Sequence, residues 1–193
     1  LVRVDGGYKG YNTDAIGLYR ELEEENIIIK DKEVIILGAG GASNAITYIC
    51  ADKGAAKIYL LNRTFDKAKK LADDVNSHFG DVVVPLAISD YRLIPEGKYP
   101  VIQTTSCGLY PHNDDAPIYD KEFYELVEAG VDIIFNPAET MFMKLCKESG
   151  ARAYNGLKML LYQGIAAFEL WNDIKVPKNL ADKILGMMER KLK

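Results

Sequence analysis

Val34-Ile35-Ile36-Leu37 runs directly into Gly38-Ala39-Gly40-Gly41-Ala42-Ser43, and Ala42, Ala45, Ile46, Ile49 and Cys50 then recur at helical spacing. A short apolar strand that turns on glycines into an amphipathic helix leaves few folds open. It is the first half of a βαβ unit, whose crossover returns to a parallel sheet. Glycines belong at such a turn because the chain reverses tightly there and bare backbone lets a pyrophosphate approach. The helix N-terminus beyond offers unpaired N–H groups and the positive end of its dipole. Ser43 occupies the third position of the Gly-x-Gly-x-x-Gly pattern, where a small side chain still permits close helix packing. The candidate phosphate-binding residues are therefore Gly38, Ala39, Gly40, Gly41 and Ala42. A tight strand-to-helix turn with no ligand is the alternative.

Lys57-Ile58-Tyr59-Leu60-Leu61 reads as the second strand. An NAD-binding turn places an Asp or Glu roughly 20 residues past the glycines, on the ribose 2′-hydroxyl. This chain has Asn62 and Arg63 there instead. An acid would repel a 2′-phosphate, whereas a guanidinium binds it with two charge-assisted hydrogen bonds and stacks on adenine. Thr64 and Lys67 add donors, so the pattern favours NADP(H) over NAD(H). Lys69 and Lys70 read as the solvated face of the following helix.

The remaining periodicity continues the alternation. Val2 and Val4 lead into the turn Asp5-Gly6-Gly7. Ala15, Leu18, Tyr19 and Leu22 then form a helix stripe, capped by Thr13 or Asp14, with acidic residues on the other face. Further strands are expected at Val82–Val84, Val101-Ile102 and Val131–Phe135, with helices near Ala68–Val75 and Lys121–Glu128. After Phe135 only helices are expected, near Glu139–Glu148, Gly156–Asn172 and Leu180–Leu192. The fold class is α/β: a doubly wound, mostly parallel Rossmann-type sheet with extra C-terminal helices.

The 193 residues carry 24 Lys+Arg against 28 Asp+Glu, a net charge of -4 that is the wrong sign for a phosphate-backbone binder. Nucleic acid is not an expected partner. No apolar stretch approaches the ~18 residues that cross a bilayer, so no membrane is expected either. Residues 1–5 have neither the basic nor the apolar region of a signal peptide, and Cys50, Cys107 and Cys146 form no disulfide or zinc spacing, which points to the cytoplasm. His78 and His112 sit among turn-forming and polar residues, and no metal is expected.

Four further stretches narrow the reading. They are Gly10-Tyr11-Asn12-Thr13-Asp14-Ala15-Ile16-Gly17, then Asn62-Arg63-Thr64-x-x-Lys67, then Thr105-Ser106-x-Gly108 with Pro111 and Asp115-x-Pro117-Ile118, and finally Asn155-Gly156-Leu157-x-Met159-Leu160-x-x-Gln163 with Ala167-Phe168-x-x-Trp171. With the glycine turn, this ordered set resembles the shikimate dehydrogenase family, specifically its C-terminal NADP-binding domain and the segment leading into it. The resemblance implies NADPH-dependent reduction of 3-dehydroshikimate to shikimate, in aromatic amino-acid (chorismate) biosynthesis. It makes Asp14 the carboxylate of a catalytic Lys–Asp pair that also binds a substrate hydroxyl, and Gln163 an amide on substrate hydroxyls. Gly156 and Ile133 would approach the nicotinamide, and Thr105 and Ser106 would line its path. Phe135 stands where the family commonly has a substrate-contacting Tyr, and Gln103-Thr104 replaces Asn-Ala. Without the resemblance, Asp14 reads as a helix cap and Gln163 as a buried amide in need of partners.

The resemblance also implies a division of the chain. Residues 1–14 are expected to link from a missing N-terminal substrate domain, which would hold the catalytic lysine. Residues 15–193 would form the NADP-binding domain, with helices over about 155–193 packing toward the interdomain cleft. These residues alone are expected to bind NADP(H) without useful turnover, as part of a longer enzyme that could be fused to another activity of the pathway. The alternatives are a quinate/shikimate dehydrogenase relative and a non-catalytic dinucleotide-binding module of a fusion protein.

Overall fold

The computed structural model describes residues 1–192; Lys193, the last residue of the expected 15–193 unit, lies outside the described residues. The chain opens with a hairpin of β1 (Val2–Val4) and β2 (Gly7–Lys9), followed by α1 (Thr13–Glu24). Strand β3 (Glu33–Leu37), helix α2 (Gly41–Asp52), strand β4 (Lys57–Asn62), helix α3 (Phe65–Phe79) and strand β5 (Val83–Ala87) complete the first half. The second half holds β6 (Tyr99–Gln103), α4 (Lys121–Glu125), β7 (Val127–Asp132), α5 (Met141–Glu148), β8 (Arg152–Tyr154), α6 (Leu157–Asn172) and α7 (Lys178–Leu192).

The main sheet has six strands in the order β5-β4-β3-β6-β7-β8, and every neighbouring pair is parallel. The order reverses between β3 and β6, which opens a crevice beyond their carboxyl ends, where doubly wound sheets bind ligands. Alternation along β3 divides the core into two layers. Val34 and Ile36 face Leu18, Leu22, Ile46 and Val75, while Ile35 and Leu37 face Tyr91, Phe123, Phe142 and Cys146. Each fully buried Ile or Leu here contributes roughly 1.5–3 kcal/mol relative to exposure. Pro85 lies within β5, tolerated because that strand is an edge. At the far end, the exposed Trp171 of α6 donates its Nε1–H to the Leu1 carbonyl at 3.2 Å, tying the hairpin to the helix. No helix among the described residues is long and apolar enough to cross a membrane.

Four local expectations are corrected. The cap of α1 is Asn12, whose Oδ1 accepts from the N–H groups of Asp14 at 3.1 Å and Ala15 at 3.2 Å; Thr13 and Asp14 are already helical. Glu21 departs from the expected acidic outer face: it is buried beside Leu18 and Leu22. Strand β7 begins at Val127 and ends at Asp132, so α4 stops at Glu125. Gly130 sits in mid-strand beneath Phe142 and Cys146. Finally, a strand interrupts the expected run of helices after Phe135: β8 is three residues long, too short to carry a period.

Candidate active site

The glycine turn closes β3 in the crevice. Gly38 has φ +112°, and a Cβ there would fall 2.6 Å from Thr104 Oγ1 and 3.0 Å from Thr105 Cγ2. Only glycine serves at this point of close approach. Ser43, buried one helical turn on, donates its hydroxyl to the Gly38 carbonyl at 2.6 Å and so pins the turn. Gly40 and Gly41 border open space, and Gly40 caps α2 without a side-chain hydrogen bond. The first N–H groups of α2 are thus left for an anion. Ala39 and Ala42 pack their methyls on the core beneath.

Beside this turn lies a cavity of about 350 Å³, lined by Ala39, Gly40 and Asn44 on one wall and by Lys67, Lys70, Leu71 and Asp74 of α3 on the other. Asn62 shapes the rim, donating from Nδ2 to the Thr64 carbonyl at 2.8 Å. Arg63 follows, exposed and without an ion pair among the described residues. Thr64 caps α3 but makes no cap bond through its side chain, so its hydroxyl is free. Lys69 pairs with Asp73 at 2.9 Å, as expected of a solvated face. Lys70 departs from that expectation, since it borders the cavity beside Lys67. The i, i+3 spacing of two lysines after Arg63 is the signal that would have found it.

Across the crevice, the ends of β6 and β7 meet the start of α6. The Thr104 hydroxyl donates to the Leu37 carbonyl at 2.7 Å, locking β6 to the glycine turn. Thr105 Oγ1 accepts from the Cys107 N–H at 3.1 Å, and Ser106 is exposed. The Gly156 backbone lies so close to Ile133 that a Cβ would fall 2.1 Å from its carbonyl oxygen, and the Gly156 N–H donates to Ile134 at 3.0 Å. Thr105, Ile133 and Gly156 are therefore neighbours at the ends of β6 and β7 and the start of α6. Phe135, half-buried, follows on the same loop.

The remaining two expected residues come together through a helix crossing. Gly17 of α1 touches α6 so closely that a Cβ would fall 2.6 Å from the Met159 carbonyl oxygen and 2.8 Å from the Gln163 nitrogen. Asp14 lies one turn earlier on the face of Gly17, so its carboxylate is carried toward the start of this crossing. It is exposed, and no side chain among the described residues bonds it. Gln163 is half-buried, and its amide has no partner among the described residues. These are free polar groups on either side of a tight joint.

Two buried acids in this region were not singled out by the sequence. Glu21 accepts from the Met159 N–H at 3.0 Å, the third residue of α6, and burial pushes its carboxyl up to about 8. Asp132 closes β7, and burial pushes it up to about 6 against three donors that pull it down. An acid at i+3 from Leu18, and another between Val131 and Ile133, were the available signs.

Comparison with known proteins matches residues 21–89 to the family model described as Shikimate / quinate 5-dehydrogenase, and residues 156–183 to that of the Shikimate 5'-dehydrogenase C-terminal domain. The chain belongs to the shikimate dehydrogenase family. Among relatives of that family, a protein named shikimate dehydrogenase (NADP(+)) from Carboxydothermus hydrogenoformans is 37% identical, covering 97% of this chain and 66% of the relative. The counterpart from Halothermothrix orenii is 40% identical over 91% of this chain and 62% of its own length. A chorismate mutase/shikimate 5-dehydrogenase fusion protein from Clostridium acetobutylicum superimposes with TM-score 0.82 at 32% identity, over 98% of this chain and 64% of that one. Shikimate 5-dehydrogenase from Listeria monocytogenes, solved with shikimate and NAD, gives TM-score 0.83 at 27% identity, over 95% of this chain and 65% of that one. The chain thus spans about two thirds of the length of the family members it matches.

Proposed function

We propose that this chain forms the cofactor half of an enzyme that interconverts 3-dehydroshikimate and shikimate with NADP(H), a step of aromatic amino-acid biosynthesis in the cytoplasm. The single observation that carries the cofactor choice is the end of β4. Arg63 has no ion pair there among the described residues, Lys67 and Lys70 border the adjoining cavity, and Asn62 and Arg63 stand where an acid would hold a ribose 2′-hydroxyl. Gly38 through Ala42 and the start of α2 receive the pyrophosphate, while Asn62 shapes the loop that presents Arg63 and Thr64.

The bound nicotinamide supplies or accepts the hydride at the substrate carbonyl carbon. The chain's own residues do the rest. Thr105, Ser106, Ile133 and Gly156, grouped at the ends of β6 and β7 and the start of α6, would lie against that ring. Asp14 and Gln163, whose side chains have no hydrogen-bond partner among the described residues, take substrate hydroxyls from the two helices of the α1–α6 joint. Asp14 also supports a lysine of the substrate-binding domain that the family carries ahead of this region, which passes the proton to the nascent alkoxide. Phe135 contributes shape and no hydroxyl. A fusion partner of the kind named in the Clostridium neighbour is compatible with this role.

The test is calorimetric titration of wild type and Arg63→Ala with NADPH and NADH. Loss of a bidentate, charge-assisted contact should weaken NADPH by about 10- to 100-fold and leave NADH nearly unchanged. Equal effects on both nucleotides would overturn the assignment. In an NADP⁺-linked shikimate oxidation assay of the full-length protein, Asp14→Asn should lower kcat by about 100-fold or more.

A further inference from the structure

Gln103 ends β6 and Asp132 ends β7; they are register partners across the sheet, and both are fully buried. Gln103 Oε1 accepts from the Thr105 N–H, and its Nε2 donates to the Cys107 carbonyl at 3.1 Å and to Asp132 Oδ1 at 3.3 Å. Asp132 Oδ1 also accepts from the Ile134 N–H at 3.0 Å, and Oδ2 accepts from the Thr140 hydroxyl at 2.7 Å. Thr140 in turn caps α5, accepting from the Met143 N–H at 3.3 Å. One pair of side chains thereby holds the turn after β6, the turn after β7 and the start of α5. Those two turns carry Thr105 and Ile133, the residues read above as lying beside the nicotinamide.

The carboxylate at the centre has no countercharge. No Lys or Arg among the described residues lies within ion-pair distance of Asp132. The titratable groups that face it are Cys146 on α5 and Tyr124 on α4, both held neutral by burial. A buried charge is tolerated only where hydrogen bonds replace its hydration, and here three donors do so.

We propose that Gln103 and Asp132 are positioning residues for the cofactor, and that ionised Asp132 is the form that holds both nicotinamide-side turns in place. This rests on the reading of the chain as a dinucleotide-binding dehydrogenase. The neighbours of the carboxylate are all donors. A proton on Oδ2 relieves the buried charge but makes that oxygen a donor, so the Thr140 hydroxyl must turn away and lose its acceptor inside the core, and the knot slackens. Since burial pushes this carboxyl up to about 6, the change falls in an accessible range.

The experiment compares two ligands by calorimetry between about pH 5 and pH 8. One is NADPH; the other is 2′-phospho-ADP-ribose, which keeps the pyrophosphate and 2′-phosphate but lacks nicotinamide. Their affinity ratio cancels the titration of the shared 2′-phosphate, which itself protonates near pH 6. In wild type the ratio should fall about threefold or more as pH drops through about 6, the cost of one hydrogen bond. At pH 8, Thr140→Val should lower the ratio by a similar factor and move its pH dependence to higher pH, since a donor that favours the ionised carboxylate is gone, with 2′-phospho-ADP-ribose affinity intact as proof of fold. Asp132→Asn should lower the ratio and remove its pH dependence, and if it fails to fold, the wild-type titration and Thr140→Val decide. A ratio that stays constant with pH, or a Thr140→Val ratio equal to wild type, overturns the proposal. A wild type that binds neither ligand overturns the cofactor reading itself, and this one with it.

Discussion

Gly17 sets the distance between the two polar groups assigned to the substrate. With α6 backbone 2.6 Å from where a Cβ would be, even a methyl must push the helices apart. Gly17→Ala should therefore lower stability by about 1–3 kcal/mol, measured by denaturant unfolding. Because it shifts Asp14 relative to Gln163, it should also lower kcat/KM for shikimate about tenfold or more. NADPH affinity should stay within about twofold, since the phosphate turn lies elsewhere. Asp14 and Gln163 were read as site residues only through motif resemblance: one is the last of three cap-competent residues, the other sits in an apolar helix. Asn12, Thr13 and Asp14 all suit a cap by residue type, and backbone geometry alone selects Asn12. That choice leaves the Asp14 carboxylate free.

Among elements, the α1–α6 pair is joined by more than a glycine contact. Gly156 caps α6 without a side chain, and Glu21 of α1 reaches across to accept from the Met159 N–H in its place. Lys158 beside it donates to Glu24 at 3.0 Å and to Glu25. Burial raises the Glu21 carboxyl from its ordinary 4.5 to about 8, so the folded state holds that proton more tightly than the unfolded chain does. Its stabilising contribution is full below about 4.5 and is lost as pH rises through about 8. Glu21→Gln should remove this dependence. At pH 9 the variant should be more stable than wild type, by an amount on the order of a few kcal/mol, in urea unfolding curves. The central strands were readable because Val34–Leu37 and Lys57–Leu61 are buried on both faces and bounded by glycines or polar turns. β7 and β8 were not, because Gly130 and Glu128 break the apolar run of one and the other is a three-residue edge.

For the molecule as a whole, the strand order places the glycine turn at the crevice between β3 and β6, where doubly wound sheets bind ligands; the turn was readable from the alternation of strand and helix, the order only from the structure. Which polar groups are spent on structure and which are left over depends on contacts between distant elements, as with Gln103 and Asp132, or Lys70 and Gly40. The net charge of -4 conceals two lysines, Lys67 and Lys70, against one acid, Asp74, at the cavity beside the glycine turn, with Arg63 just ahead of them in the chain. Raising salt from about 0.05 M to about 0.5 M should therefore weaken NADPH more than NADH in parallel titrations, as screening acts on the 2′-phosphate. At the opposite corner, Trp171 is the one tryptophan of the chain, 66% exposed and bonded to the first residue. Excited near 295 nm, the protein thus carries a single lamp, set on the hairpin corner rather than in the sheet. Its colour should report what covers or uncovers that corner and stay dim to events in the core. The reduced nicotinamide absorbs where tryptophan emits, so quenching of that lamp by bound NADPH measures the span from the hairpin to the cofactor opening.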